Sequence, residues 1–578
     1  MRKRRIIRAD LMIRDGIIAG IGKAKRHEKT ENLLDAGGQY IAPGFIDSHL
    51  HIESSLLSPL AFAQRAVTHG TTSVFVDPHE IANVCGRKGI RLFLDQSELA
   101  PMDLFIGIPS CVPTTDLEDA GASITMKDIK DLIHEKRVYG LAEMMNFPAV
   151  IQGRGGARER CDFVYEFGKI VDGHCPGLVG GALDIYVTNG KMDGTPRITS
   201  DHQVVTYEEA LEKVAKGMHV ALRYGSAAKD MERILPDLIK NRNDLAMFML
   251  CTDDLDLASL YEKGHMDGSI RRAREIILEN SGLDQETAAI LAISLATLNP
   301  AKYFLKFFRF HNHPELGEIA VGNRANLVVL ASLSDLEVKR VIYAGKVVAE
   351  NRRYIGGGRD CSDYDYSAFT GSIHTRSTFL PQDFTIKYAG RANRPSVKVI
   401  ELVKNSILTK KRTMKLRVSR GELKGNPEKD IAKIAVIERH GGSGDLSLGF
   451  VKGLGLTKGA IASTISHDSH NLVTAGVNDS DMARAVNYLG EKGGGMVVVV
   501  EDLVTGMPLK IGGLMSTQNC EESVRVYRRL MDAVKKTGST LDSTFLSMAF
   551  LSLPVIPELR ITNRGLVDVD AFKFVELY

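Results

Sequence analysis

Between residues 45 and 254 short apolar runs recur, each ending in polar or charged residues. They are FIDSHLH (45–51), TTSVFVDPHE (71–80), MDLFIGIPSC (102–111), VYGLAEMMNF (138–147), KIVDGHCPG (169–177), RITSDHQ (197–203), HVALRYGSA (219–227) and LAMFMLCTDD (245–254). Helical patterns lie between several of them, such as AFAQRAVTHG before the second run and YEEALEKVAKGM before the seventh. A strand followed by a helix, repeated eight times at intervals of roughly 20–35 residues, predicts an α/β fold of the (β/α)8 barrel type.

The flanks read differently. ADLMIRDGIIAGIG (9–22) and the segment from Leu316 to Tyr354 both pattern as short strands with turns, and they bracket the barrel. The expected arrangement is one small β-sandwich built from residues 1–42 and 315–360, around a barrel spanning 43–314. Residues 23–32 are expected to be a charged loop. Residues 365–578 mix helical and strand patterns and are expected to form a separate C-terminal α+β domain. Within it, Gly493–Gly495 lack the spacing of a phosphate loop and read as a turn into the buried strand MVVVV.

Composition narrows the class without naming a chemistry. The 578 residues are 44% hydrophobic and 25% charged, as in a globular protein. The net charge of +3, from 74 basic and 71 acidic residues, points to neither nucleic acid nor a membrane surface. The basic start MRKRR lacks the apolar core of a signal peptide, and no run reaches the length of a membrane span. Seven cysteines with no C-x-x-C pair fit a reducing cytoplasm. A homo-oligomer is expected.

Chemistry concentrates where the barrel strands end, which is where such barrels carry function. His49, His51, His79, Glu143, His174, His202 and Asp253 all lie there. A single histidine at a strand end is more often packed than ligating. His49 and His51 are stronger candidates, because side chains two apart on a strand face the same side. Four imidazoles and two carboxylates without a thiolate suit Zn²⁺, Fe²⁺ or Mn²⁺. Six ligands exceed one catalytic zinc and fit two cations sharing a bridging carboxylate and a bridging water.

The segments PGFIDSHLHIESSLLSP, GTTSVFVDPHEIANVCG, LAEMMNFPAVI, DGHCPGL, SDHQ, CTDD, GHMDGSIRRA, SHDSHN and SLPVIPEL, spread over residues 43–559, resemble the amidohydrolase superfamily. Within it they are most similar to the adenine deaminases of bacteria and archaea. The resemblance implies hydrolytic deamination of adenine to hypoxanthine and ammonia, with two divalent metal ions: Mn²⁺ or Fe²⁺, or else Zn²⁺. It implies His49 and His51 as ligands of the first metal, Glu143 as the bridging carboxylate, and His174 and His202 as ligands of the second. Asp253 is implied as ligand and proton shuttle, chosen over Asp254 because it directly follows Thr252. His79 is implied as a catalytic histidine beside the metals. Ser110, Cys111, Arg223, His467 and His470 are the candidates for contacting the substrate.

The chain departs from the family pattern at Gln203, Leu255 and Asn326, and its first strand segment begins early, at Ala9-Asp10. Gln203 and Leu255 lie near enough to the mouth to alter substrate fit. SHDSHN (466–471) is open to two readings, a metal site or a hydrogen-bonded loop reaching the barrel mouth. His311 and His313 are expected on a surface loop, and His265 on a loop near the mouth. Two other functions stay open: a hydrolase of cyclic amides or of another aminopurine, and a non-catalytic barrel that kept its ligands. A lysine is absent from the fourth strand end, where Glu143 stands, and this weighs against the cyclic-amide type.

Overall fold

A computed structural model describes residues 5–23, 33–358, 360–376, 378–403, 406–541 and 543–578. The charged segment expected over 23–32 lies outside these residues except for Lys23.

Eight parallel strands form the barrel: β1 (Phe45–Leu50), β2 (Thr71–Val76), β3 (Asp103–Ile108), β4 (Val138–Met144), β5 (Ile170–Gly173), β6 (Ser200–Asp201), β7 (His219–Arg223) and β8 (Phe248–Cys251). Each coincides with one of the eight apolar runs. The first five pair in order, and so do the last three. The two arcs meet at both seams. Thr199 N–H donates to the Val171 carbonyl at 3.2 Å, and Asp253 N–H donates to the His49 carbonyl at 3.0 Å. At the first seam the backbones come so close that a Cβ on Gly173 would lie 2.2 Å from the Ser200 carbonyl oxygen.

Helices cover the outside, so nearly every strand residue is buried, as the apolar runs require. One end of the interior is filled by aromatic rings. Ile46, Phe75, Phe105, Tyr139, Ile170 and Met249 from six strands pack with Phe307 and Phe308 of the helix Leu305–Phe310 and with Phe304, which joins it to the helix Leu298–Tyr303. This floor leaves the opposite end, where the strands finish, as the mouth.

Among the register shifts of the barrel ladders are one between Asp47 and Leu50 in β1 and one between Leu141 and Met144 in β4. An extra residue at such a point re-aims the side chains that follow it. These are the strands that deliver His49, His51 and Glu143.

Both flanks contribute to one β structure. Tyr40–Pro43 pairs with Leu327–Leu330 in a five-stranded sheet completed by Val338–Tyr343, Lys346–Glu350 and Arg353–Tyr354. The hairpin Asp10–Arg14 and Ile17–Gly22 packs Ile18 against Ala325, Leu327, Val329 and Ile342 of that part of the chain. The C-terminal region centres on an eight-stranded sheet, with the helix Asp479–Lys492 packed on its inner strands. Its strands Ala460–Ser463 and Leu472–Gly476 pair antiparallel. The loop between them, 464–471, reaches the barrel: Thr114 donates to Asp468 at 2.7 Å, and Asn471 Nδ2 donates to the Asp119 carbonyl at 2.7 Å.

Three histidines differ from expectation. His265 is buried away from the mouth, its Nδ1 2.8 Å from Thr71 Oγ1 at the start of β2 and its Nε2 3.3 Å from Asp47. His311 and His313 are half-buried under the barrel floor, with ring contacts to Phe307 at 5.4 Å. An apolar surface of the barrel takes up the rings of His311 and His313, whereas His265 is held by Thr71 and Asp47 beside Phe62.

Candidate metal centre

His49, His51, Glu143, His174, His202 and Asp253 converge on one cavity at the mouth. His49 Nε2 and His51 Nε2 lie 3.3 Å apart. Asp253 Oδ1 is 3.2 Å from His51 Nε2 and 3.8 Å from His49 Nε2. Glu143 divides its two oxygens. Oε1 is 3.5 Å from His51 Nε2 and 3.5 Å from His79 Nδ1, while Oε2 is 2.5 Å from His174 Nδ1 and 3.1 Å from His202 Nε2. The ring of His49 stacks on that of His202 with centroids 3.8 Å apart.

The environment of these groups is built to hold them. His51 Nδ1 lies 3.0 Å from the Asp77 carbonyl, which fixes that nitrogen as the protonated one and turns Nε2 inward. Asp253 sits in the left-handed region at φ 56°, an uncommon conformation for a residue other than glycine. Its backbone bridges to Leu50, which sets its carboxylate between β8 and β1. Asp201, next to His202, is paired with the buried Lys213, which also reaches Glu209 at 2.6 Å.

Electrostatics favour cation binding. Burial opposes ionisation of Glu143, but the His174 and His202 imidazoles beside it hold its pKa well below the usual carboxylate range. Burial likewise opposes ionisation of Asp253, and His51, His202 and Arg223 together outweigh it. Both carboxylates are therefore anionic. His49 is held well below the usual imidazole pKa by burial and by neighbouring His202, so it is neutral. His49 Nδ1, His79 Nδ1 and His202 Nε2 are buried and have no hydrogen-bond partner among the described residues. Anionic carboxylates, imidazole nitrogens and unpartnered buried lone pairs within 4.8 Å of one another are the donor set of a divalent cation. Among the ligand groupings at the cavity, Glu143–His174–His202 shares His202 with His49–His202–Asp253 and Glu143 with His51–Asp77–His79–Glu143, and His51 recurs with Asp253 and Asp254.

Other expected residues sit elsewhere. Ser110 is turned to the wall, where its hydroxyl donates to the Glu143 carbonyl at 2.5 Å. Cys111 packs in the core beside Met144. Neither faces the mouth; both back the strand end that carries Glu143. Arg223 is not free for a substrate. Its Nη1 lies 3.1 Å from Asp253 Oδ2, and its Nε donates to Asp230 at 2.8 Å. It fixes the carboxylate from behind. His467 and His470 do reach the cavity wall, in a buried group with Glu80. Asp77, Glu80, Asp254 and Asp468 complete the wall; Asp254 was weighed against Asp253 and Asp468 belongs to SHDSHN, whereas Asp77 and Glu80 were not singled out from the sequence. Asp77 lies two residues before His79, the same spacing that marked His49 and His51, and is the one a pattern search finds.

Residues 40–348 match the amidohydrolase family, and residues 406–573 match the adenine deaminase C-terminal domain. The chain is 39% identical over 574 residues to an adenine deaminase of Desulfatibacillum aliphaticivorans, an alignment covering 99% of this chain and 94% of that one. It is 38% identical over 573 residues to an adenine deaminase of Clostridium acetobutylicum, with 99% and 94% covered.

Proposed function

Because the chain belongs to the adenine deaminase family of amidohydrolases, we propose that it hydrolyses adenine to hypoxanthine and ammonia. The observation that carries this reading is the division of Glu143 between two sets of imidazoles, one oxygen to each. That stance suits a carboxylate shared by two cations. His49, His51 and Asp253 would complete one position, and His174 and His202 the other. Two divalent cations, Mn²⁺ or Fe²⁺ in preference to Zn²⁺, supply the Lewis acidity that makes water a nucleophile at neutral pH.

The chain's own groups handle the protons. Asp253 is anionic and pinned between His51 and Arg223, so it is positioned to take the proton of the attacking water. It returns that proton to the ring nitrogen beside C6 as the ring loses aromaticity. His79, between Asp77 and Glu143, is positioned to orient the water or to protonate the departing amine. Burial excludes bulk solvent from these transfers and strengthens each charge interaction.

The partner is a small base, with neither nucleic acid nor membrane, and the setting is a reducing cytoplasm. The protein is proposed to be a homo-oligomer. No helix among the described residues is long and apolar enough to cross a membrane. The test is hypoxanthine release from adenine by the purified chain, stripped by a chelator and reloaded with Mn²⁺. Turnover that depends on the metal is expected. A fully metallated chain inert toward adenine would refute the reading.

A further inference from the structure

SHDSHN left two readings open, and one hydrogen bond bears on the part His470 can play in them. The backbone N–H of Ser466 donates to His470 Nδ1 at 3.3 Å. Nδ1 is thereby an acceptor, and the ring proton of neutral His470 sits on Nε2. A cation on Nε2 would need that lone pair, and a metal-bound imidazole ordinarily donates from its other nitrogen. His470 is thus a donor and not a ligand. Its Nε2–H has no partner among the described residues, although the side chain is fully buried. It points toward Glu80 Oε2 at 3.7 Å, too far for a hydrogen bond.

Glu80 is the complementary half. Its Oε1 accepts from the Ser54 hydroxyl at 3.3 Å. Oε2 is left as the oxygen that faces His470. Glu80 follows His79, whose ring lies against Glu143, in the helix His79–Cys85. His470 is held rigidly at φ 53°. Arg439 donates to its carbonyl while also reaching the carbonyls of Ser372 at 3.1 Å and Gly512 at 3.0 Å. A fixed donor and a fixed acceptor therefore stand side by side, in a buried group with His467 next to His79.

We propose that this pair reads the edge of the base opposite the reacting carbon. With C6 at Glu143, the atom across the six-membered ring is N3, and N9 is joined to it through one carbon. N3 accepts from His470 Nε2–H, and N9–H donates to Glu80 Oε2. Glu80 and His470 are then specificity residues that select the free base over N9-substituted purines. The inference rests on the adenine reading above.

The test compares kcat/KM for adenine, 9-methyladenine, which lacks the N9–H, and 3-deazaadenine, which has C–H in place of N3. The metal-loaded wild type is expected to disfavour each analogue by about 100-fold or more, because each leaves a buried polar group unpaired. Glu80→Ala should lower kcat/KM for adenine and shrink the 9-methyladenine penalty below about 10-fold, leaving the 3-deazaadenine penalty in place. His470→Phe should do the converse, and Glu80→Gln, which keeps a carbonyl acceptor, should fall between. A wild type that accepts 9-methyladenine as readily as adenine overturns the assignment without any variant. So do folded, metal-loaded variants with wild-type discrimination. Wild-type enzyme inert toward adenine overturns both the deaminase reading and this pair. Adenine turnover with unchanged discrimination in the variants overturns the pair alone.

Discussion

At the scale of single residues, Glu143 does the work that distinguishes this cavity from a collection of buried histidines. Each of its oxygens faces a separate pair of imidazoles. Glu143→Gln removes the negative charge and keeps the shape. It should abolish adenine turnover and lower metal content, measured by elemental analysis of the folded protein. Two metals per chain in an active Glu143→Gln variant would exclude bridging. His79 makes a different prediction, because it touches Glu143, Asp77 and Asp468 without being needed to complete either set of ligands. His79→Asn should keep metal content and fold while kcat falls about 100-fold or more, with kcat/KM falling in parallel. A stable, metallated variant with near-normal kcat would remove His79 from the chemistry. Residue identity at strand ends was legible because ligand types are rare in apolar runs. Orientation was not. Ser110, Cys111 and Arg223 also stand at strand ends, yet they turn to the wall or to Asp253. Sequence spacing says that a residue is at the rim, not which way a bulged strand aims it.

At the scale of elements, all eight barrel strands were readable, because strands covered on both faces are continuous apolar runs whose ends are marked by polar residues. The hardest is β6, only two residues long, and it carries His202. What holds it is remote in sequence. Lys213, on the helix Tyr207–Ala215, is fully buried and paired with Asp201 of β6 and with Glu209. Lys213→Met would leave Asp201 buried and unpaired, and should destabilise the protein by about 3–5 kcal/mol in urea unfolding. Burial opposes ionisation of Asp201, but Lys213 and His202 hold its pKa far below the ordinary carboxylate range. The stabilisation is therefore complete above the ordinary carboxylate pKa and lost as acid protonates Asp201. The gap between wild type and Lys213→Met should persist at neutral pH and close toward strong acid. A Lys213→Met protein as stable as wild type at neutral pH would show that this pair does not anchor β6.

At the scale of the whole molecule, the mouth is assembled from parts more than 300 residues apart. The barrel supplies Glu80 and Thr114, and the loop 464–471 supplies Asp468 and His470. A loop that closes another domain's cavity leaves no local periodicity, and SHDSHN was noticeable only for its composition. The same holds for Arg439, a buried guanidinium whose partners are carbonyls from three separate segments. A loop of the C-terminal region reaching the barrel mouth was one of the two readings of SHDSHN, whereas the barrel residues it meets, Thr114 and Asp119, were not legible. The proposal made for the cavity these parts enclose is that two cations would share Glu143 and that both would be needed. It is tested most directly by titrating the chelator-stripped chain with Mn²⁺ while following adenine deamination. Activity is expected to rise until two equivalents per chain have been added and then to level. A break at one equivalent, with full activity reached there, would contradict it.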